Sequence, residues 1–355
     1  MVYQMSNPRC TAPDPGTLSE LLLAVVYQNA IFPPRRLFSR SMTSPRLSTP
    51  GPHLIVALVT PFTADGEVDR PSLRRLIAHL QAGGVNEFFA AASTGEAPLL
   101  DESARLTIIE TVRAAAPDGV LYAGVSGTGH RHAIRNCRAA AEAGADVAVV
   151  MSPFFVALDQ TQLVDFSTAI ADASPLPLAI YHHLRMPTPF TVPTVAKLAA
   201  HPNIVALKDT NGAEHNRCAE ILAATAGTPL KFFQGVEKLV LPTLAAGGHG
   251  CVVAQANIAP QLFRGVLDAW HAGDAARAAE CQRQIDALWG IFLRPEVKQS
   301  FAHFLLTMKR PLQQLGVIAT TSGALPGVTF APAFEQMIDD FMAQHLPSLP
   351  AVRMP

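Results

Sequence analysis

The strongest constraint on the fold is a repeat of pattern rather than of sequence. Eight short apolar runs, at residues 54–62, 87–93, 120–126, 147–153, 176–182, 204–210, 231–235 and 251–257, alternate with longer stretches of helical periodicity. Strand-length apolar runs that alternate with amphipathic helices build a parallel sheet, because each parallel crossover carries a covering helix. The helical stretches bring their own boundary signals. Asp69 precedes Pro71, and Leu73, Leu76, Ile77 and Leu80 recur at a period of about 3.6 residues until Gly83 and Gly84 stop it. Asp101 and Glu102 open the next helix, and others are expected over 130–142, 160–173, 192–200, 213–226 and 236–246. After residue 257 only helical pattern remains, at 261–271, 275–292, 296–308 and 333–345.

Eight such units predict an α/β protein of the (β/α)8 TIM barrel kind over residues 51–345, with a C-terminal helical extension from about 261. An open doubly wound sheet is the competing topology. Its glycine-rich turn belongs after the first strand, whereas Gly124, Gly127 and Gly129 follow the third run with the wrong spacing. The chain has 355 residues, 49% of them apolar and 15% charged, which suits one large core and rules out general disorder.

Residues 1–50 differ from the rest, being rich in Pro, Ser, Thr and Arg around an apolar patch at 21–26 that is too short to span a bilayer. They read as a disordered tail or as the product of a misassigned start, with Met42 as the true one; 346–355 reads as a second tail. Asp14 and Glu20 ahead of the patch, and Arg35 and Arg36 behind it, do not form an export signal. A net charge of -1 offers nothing to neutralise phosphates, so nucleic acid is not an expected partner. Cys10, Cys137, Cys218, Cys251 and Cys281 are far apart with no C-x-x-C pair, as expected of reduced thiols in a cytoplasmic protein.

In a closed parallel barrel the chemistry sits at the C-terminal ends of the strands. Lys208 stands out there, a lysine ending the apolar stretch Ile204-Val205-Ala206-Leu207. Desolvating a lysine in general favours the uncharged amine, the form that attacks a ketone to give an imine. Equally, such a lysine can be paired to a carboxylate or can reach out to solvent. Ser93-Thr94-Gly95-Glu96 places hydroxyls and backbone N–H groups at a strand end, where they suit a substrate carboxylate or cap an ordinary turn. Tyr181 is either a proton donor or packing. His182 and His183 are adjacent and so point to opposite faces, and no carboxylate at ligand spacing accompanies them; no metal site is expected.

Taken in order, Thr60-Pro61-Phe62, Ser93-Thr94-Gly95-Glu96, Ser152-Pro153-Phe154-Phe155, Ile180-Tyr181, Lys208-Asp209-Thr210 and Gly247-Gly248-His249-Gly250 resemble the dihydrodipicolinate synthase / N-acetylneuraminate lyase family over about residues 53–345. The resemblance implies a Schiff-base-forming lyase or aldolase of pyruvate or a pyruvate-derived 2-oxo acid, with an aldehyde as the other partner and no cofactor. It makes Lys208 the imine former, Ser93, Thr94 and Gly95 the carboxylate-binding turn, and Tyr181 with the Ser93 hydroxyl a proton relay. Gly235 and Val252 match positions that pack around the pyruvate unit, and a homotetramer or homodimer is implied. The alternatives within the resemblance are dihydrodipicolinate synthase proper, a 2-oxo sugar-acid dehydratase and a non-catalytic ligand-binding homologue.

Three departures bear on the second substrate. Phe155 stands where those synthases usually carry a second relay tyrosine, and phenylalanine passes no proton. Met186 stands where they carry an arginine for the aldehyde partner's carboxylate, leaving Arg185, one residue away, either to replace it or to face solvent. His182, in place of a common asparagine, points to a different second substrate. These changes favour a catabolic aldolase or dehydratase over a biosynthetic enzyme.

Overall fold

A computed structural model describes residues 51–211, 217–328 and 330–345. The readings of 1–50 and 346–355 as tails, and of the start of the helix expected at 213, lie outside the described residues. Eight parallel strands, β1 (His53–Ala57), β2 (Glu87–Ala90), β3 (Val120–Gly124), β4 (Val147–Met151), β5 (Leu178–His183), β6 (Ile204–Thr210), β7 (Lys231–Gln234) and β8 (Gly250–Val253), form a closed barrel in sequence order. Closure is made by β8 pairing with β1, Val252 beside Ile55.

Crossover helices cover the outside: α1 (Arg70–Ala82), α2 (Glu102–Ala115), α3 (His130–Glu142), α4 (Gln160–Ala173), α5 (Val192–Ala199), α6 (Arg217–Ala224), α7 (Val240–Ala245) and α8 (Pro260–His271). Their starts follow the expected capping chemistry. The side chains of Asp69, Asp101 and Asp159 accept the backbone N–H groups of Ser72, Ala104 and Gln162, and Gln162 returns the bond to complete a capping box. Period-two alternation then sorts the strand residues into two cores. Ile55, Ala57, Phe89, Tyr122, Val149, Tyr181, Ala206, Phe233 and Val252 fill the barrel interior. Leu54, Val56, Phe88, Ile180, Leu207 and Phe232 pack outward against the helices.

The first of the C-terminal helices, α8, completes the barrel, and the extension proper is α9 (Ala275–Trp289), α10 (Pro295–Lys298), α11 (Phe301–Gln314) and α12 (Pro332–His345). The single helix expected at 296–308 is therefore two. Ser300 breaks it by adopting an extended backbone, and its side chain accepts the His303 N–H as the N-cap of α11. The second helix runs past Pro311, which carries Lys309 into the protein interior.

Lys309 is the principal tie between this extension and the barrel. Its ammonium lies 2.7 Å from Glu96 Oε1, both side chains being 1% exposed, and it donates to the Ser322 carbonyl at 2.7 Å. Glu96 Oε2 accepts the Ala324 N–H at 2.7 Å. Removing one member of a buried pair strands the other charge. We expect Lys309→Met to lower unfolding stability by about 3–5 kcal/mol in chemical denaturation, and Glu96→Gln added to it to recover part of that loss. A single variant as stable as wild type would show that the pair carries no stability.

Candidate active site

β2 ends early, at Ala90, because Ala91 turns into the left-handed region (φ 51°). Its carbonyl packs so close to Gly124 on β3 that a Cβ there would collide with it. The chain then forms the turn Ser93–Glu96, in which Glu96 is again left-handed (φ 63°). Non-glycine residues pay for such backbone, and the Glu96–Lys309 pair supplies a holding contact. Thr60 Oγ1 donates to the Gly95 carbonyl at 2.8 Å, fastening the turn to the end of β1. Gly95 and Glu96 N–H are spent on Ala92 and Ser93 carbonyls, whereas the Ser93 and Thr94 N–H groups donate to no acceptor among the described residues. A turn held rigid with two unspent donors is what a carboxylate needs.

Lys208 projects into the barrel from β6, one pleat after Ala206, and is 6% exposed. In the sheet it is the partner of Tyr181 on β5. Its Nζ lies 4.1 Å from the centre of the Tyr181 ring and 5.5 Å from that of Phe89. No carboxylate among the described residues lies within ion-pairing distance of it, so the salt-bridged alternative does not hold. Aromatic faces solvate a cation and leave a neutral amine free to react. The Tyr181 hydroxyl is 3.3 Å from Ser93 Oγ. Amine, phenol, serine hydroxyl and the unspent N–H pair thus meet at the C-terminal end of the barrel.

The other sequence-expected residues divide. Val252 lines the barrel interior. Gly235 follows β7 with its N–H on the Asp209 carbonyl at 2.8 Å, and a Cβ there would strike the Thr210 hydroxyl, itself buried without a hydrogen-bond partner. The Arg185 side chain is exposed, and it is Met186 that packs on the interior cluster. Phe155 is 90% exposed, and Phe154 rather than Phe155 lines the pocket with Ser93, Tyr181 and Phe89. Neither phenylalanine carries a hydroxyl that would extend the relay.

His182 requires a correction. It points outward, where Arg217 donates to its Nδ1 at 2.8 Å, to the Phe190 carbonyl at 2.6 Å and to Asp209 Oδ2 at 2.8 Å. It therefore cannot select a substrate. Alternation puts His183 on the inner face instead, two residues after Tyr181, with ring centres 5.9 Å apart. The sequence places the two histidines on opposite faces, and the one read as a hint of the second substrate, His182, is the one that faces away from the barrel interior. The sequence reading also misses Glu237, whose buried carboxylate accepts the Ala254 N–H at 3.0 Å at the end of β8. Burial pushes its pKa up, and the backbone N–H groups and Lys208 pull it back.

These features describe a closed (β/α)8 barrel with a buried lysine and a tyrosine facing each other at its C-terminal end. Residues 52–343 match the family model of the dihydrodipicolinate synthetase family. The 4-hydroxy-tetrahydrodipicolinate synthase 1 of Streptomyces coelicolor is 37% identical over 249 residues, 68% of this chain and 79% of that protein. The synthase of Acidiphilium cryptum is also 37% identical, covering 65% and 79%. Among solved structures, a dihydrodipicolinate synthase of Acinetobacter baumannii complexed with pyruvate superposes with a TM-score of 0.75 at 27% identity, over 84% of this chain and 99% of that one. A prophage protein of the same family from E. coli K12, also with pyruvate, gives 0.77 at 25% identity, over 83% and 98%. The chain belongs to the dihydrodipicolinate synthetase family, and it is a lyase of the Schiff-base-forming kind.

The buried His182 gives a pH signature. Burial first, then the Arg217 guanidinium and His183, lower its pKa to about 4 from an ordinary 6.5. The unfolded chain therefore takes up the proton before the folded one. Stability should fall as pH drops from about 6.5 to about 4 and level off below. Thermal unfolding across that range is expected to show a shallower loss in His182→Asn than in wild type; equal slopes would mean that His182 is not the group responsible.

Proposed function

We propose that Lys208 forms the imine, acting on pyruvate or a 2-oxo acid that contains a pyruvate unit. The observation that carries this reading is the unpaired, buried Lys208 amine against the Tyr181 ring, beside a turn with two free N–H donors. The Ser93 and Thr94 N–H groups and the Gly95 turn take the substrate carboxylate, with Gly235 and Val252 shaping the space around the methyl end. The Lys208 amine attacks the C2 carbonyl. Tyr181 gives a proton to the resulting hydroxyl, which leaves as water, and Ser93 relays protons to the phenol. In the protonated imine the C3–C4 bond breaks, its electron pair moving to the imine nitrogen, while the C4 hydroxyl proton passes to Tyr181. The enamine is reprotonated at C3 and hydrolysed to pyruvate, regenerating Lys208. Condensation is the reverse.

The second substrate separates the readings. A thioether does not replace the bidentate pairing of a guanidinium with a carboxylate, so Met186 disfavours aspartate semialdehyde and 4-hydroxy-tetrahydrodipicolinate synthesis. Arg185, exposed at the rim, supports at most a peripheral contact with an acidic substrate. The chain's own role is then that of a catabolic aldolase or of a dehydratase on the same imine. No organic cofactor or metal enters this scheme. Exposed Phe155, Val156 and Leu184 near the mouth support a homodimer or homotetramer. The unpaired, buried Cys137, Cys218, Cys251 and Cys281 support a cytoplasmic setting, and no helix among the described residues is long and apolar enough to cross a membrane.

Pyruvate release from a panel of 2-oxo acids and deoxy-2-oxo sugar acids, read by a coupled assay, tests the scheme. Tyr181→Phe should lower kcat by ~10²–10⁴-fold, Lys208→Ala should abolish turnover, and EDTA should leave it intact. Turnover by Lys208→Ala, or loss on EDTA treatment restored by zinc, would contradict imine catalysis. Aspartate semialdehyde as the best partner by a wide margin would return the biosynthetic reading.

A further inference from the structure

His183 occupies the inner face of β5 one pleat beyond Tyr181, in register with Thr210, which stands one pleat beyond Lys208. It is thus the next side chain toward the mouth after the reacting amine. Two residues of strand span about 6–7 Å. Three bonds of ~1.5 Å from the imine carbon to the oxygen on C4, followed by one hydrogen bond of ~2.8 Å, cover about the same distance.

The imidazole is also oriented. Its Nδ1 accepts the Arg185 N–H at 3.0 Å, which places the ring proton on Nε2 in the neutral form. Nε2 has no hydrogen-bond partner among the described residues. Burial first, then Lys208 and Arg185, lower the pKa to about 4, so the ring stays an uncharged donor at neutral pH. Met186 and Phe154, packed against the same interior cluster, are apolar. With Lys208 and Arg185 as its charged neighbours and no acceptor for Nε2 among the described residues, this N–H suits an incoming oxygen, and a fixed donor works best where charge develops during the reaction.

We propose that His183 is the specificity-determining residue for the second substrate, donating its Nε2–H to the C4 oxygen of a 4-hydroxy-2-oxo acid. This rests on the Lys208 imine reading. In condensation the enamine carbon attacks the aldehyde carbonyl, whose electron pair moves to oxygen. His183 N–H stabilises that oxygen without giving up its proton, and Tyr181 supplies the proton that completes the hydroxyl. In cleavage the same bond steadies the oxygen as Tyr181 removes its proton. The substrate class that follows is an aldol of pyruvate with an aldehyde uncharged beside its carbonyl.

The test separates two half-reactions in His183→Phe and His183→Gln. Borohydride-trapped pyruvate and exchange of the pyruvate methyl protons into D2O report the imine and enamine; condensation with glyceraldehyde and other uncharged aldehydes reports the second. His183→Phe should keep trapping and exchange within about twofold and lose about 10²-fold in kcat/KM for condensation. His183→Gln, which keeps an N–H donor, should retain most of it. Should the phenylalanine variant not fold, His183→Leu serves the same purpose. Normal exchange with undiminished condensation in the donor-free variant overturns the role of His183 alone. A wild-type enzyme that traps pyruvate but condenses with none of these aldehydes overturns it too. Absence of trapping in wild type would instead strike the Lys208 reading.

Discussion

Holding a lysine amine inside an apolar barrel without a carboxylate beside it is the constraint around which this protein is arranged. An ammonium there loses its water, and a neighbouring carboxylate would tie the amine up in an ion pair. The chain supplies aromatic faces instead, Tyr181 at 4.1 Å and Phe89 at 5.5 Å. Carboxylates near this end of the barrel have other engagements: Asp209 pairs with Arg217 outside the wall, and Glu237 is taken by the backbone N–H groups that follow β8. The same alternation that directs Lys208 inward directs Asp209 outward, so adjacent residues of one strand face the barrel interior and the surrounding helices separately.

The turn proposed to bind the substrate carboxylate depends on a partner distant in sequence. Left-handed backbone at Ala91 and Glu96 leaves the Ser93 and Thr94 N–H groups unspent. Glu96 is then held by Lys309 and Ala324, so the C-terminal helices brace the site rather than merely extend the barrel. Since loop geometry of this sort tolerates little error in the placement of donors, the brace belongs to function as much as to stability.

The architecture was legible in the sequence because the strands are buried on both faces and several helices open on a capping Asp or Thr: 130–142 and 160–173 match α3 and α4 to the residue. Lys208, Tyr181 and the Ser93–Glu96 turn could be found because they break or end apolar runs. What escaped depends on phase and long-range pairing. Alternation says that His182 and His183 oppose each other, but only the register of Tyr181 with Lys208 says which faces inward. The role of Lys309 has no local sign in the sequence, because its partner lies 213 residues away. The helix break at Ser300 was hidden because the apolar period continues across it.

In the proposed reaction the Lys208 amine becomes covalently joined to a 2-oxo acid. Peptide mapping by mass spectrometry after incubating the protein with pyruvate and borohydride tests it most directly. A reduced pyruvate adduct on Lys208, absent without borohydride, is the result expected. An unmodified Lys208 in protein that still turns over substrate would contradict the account.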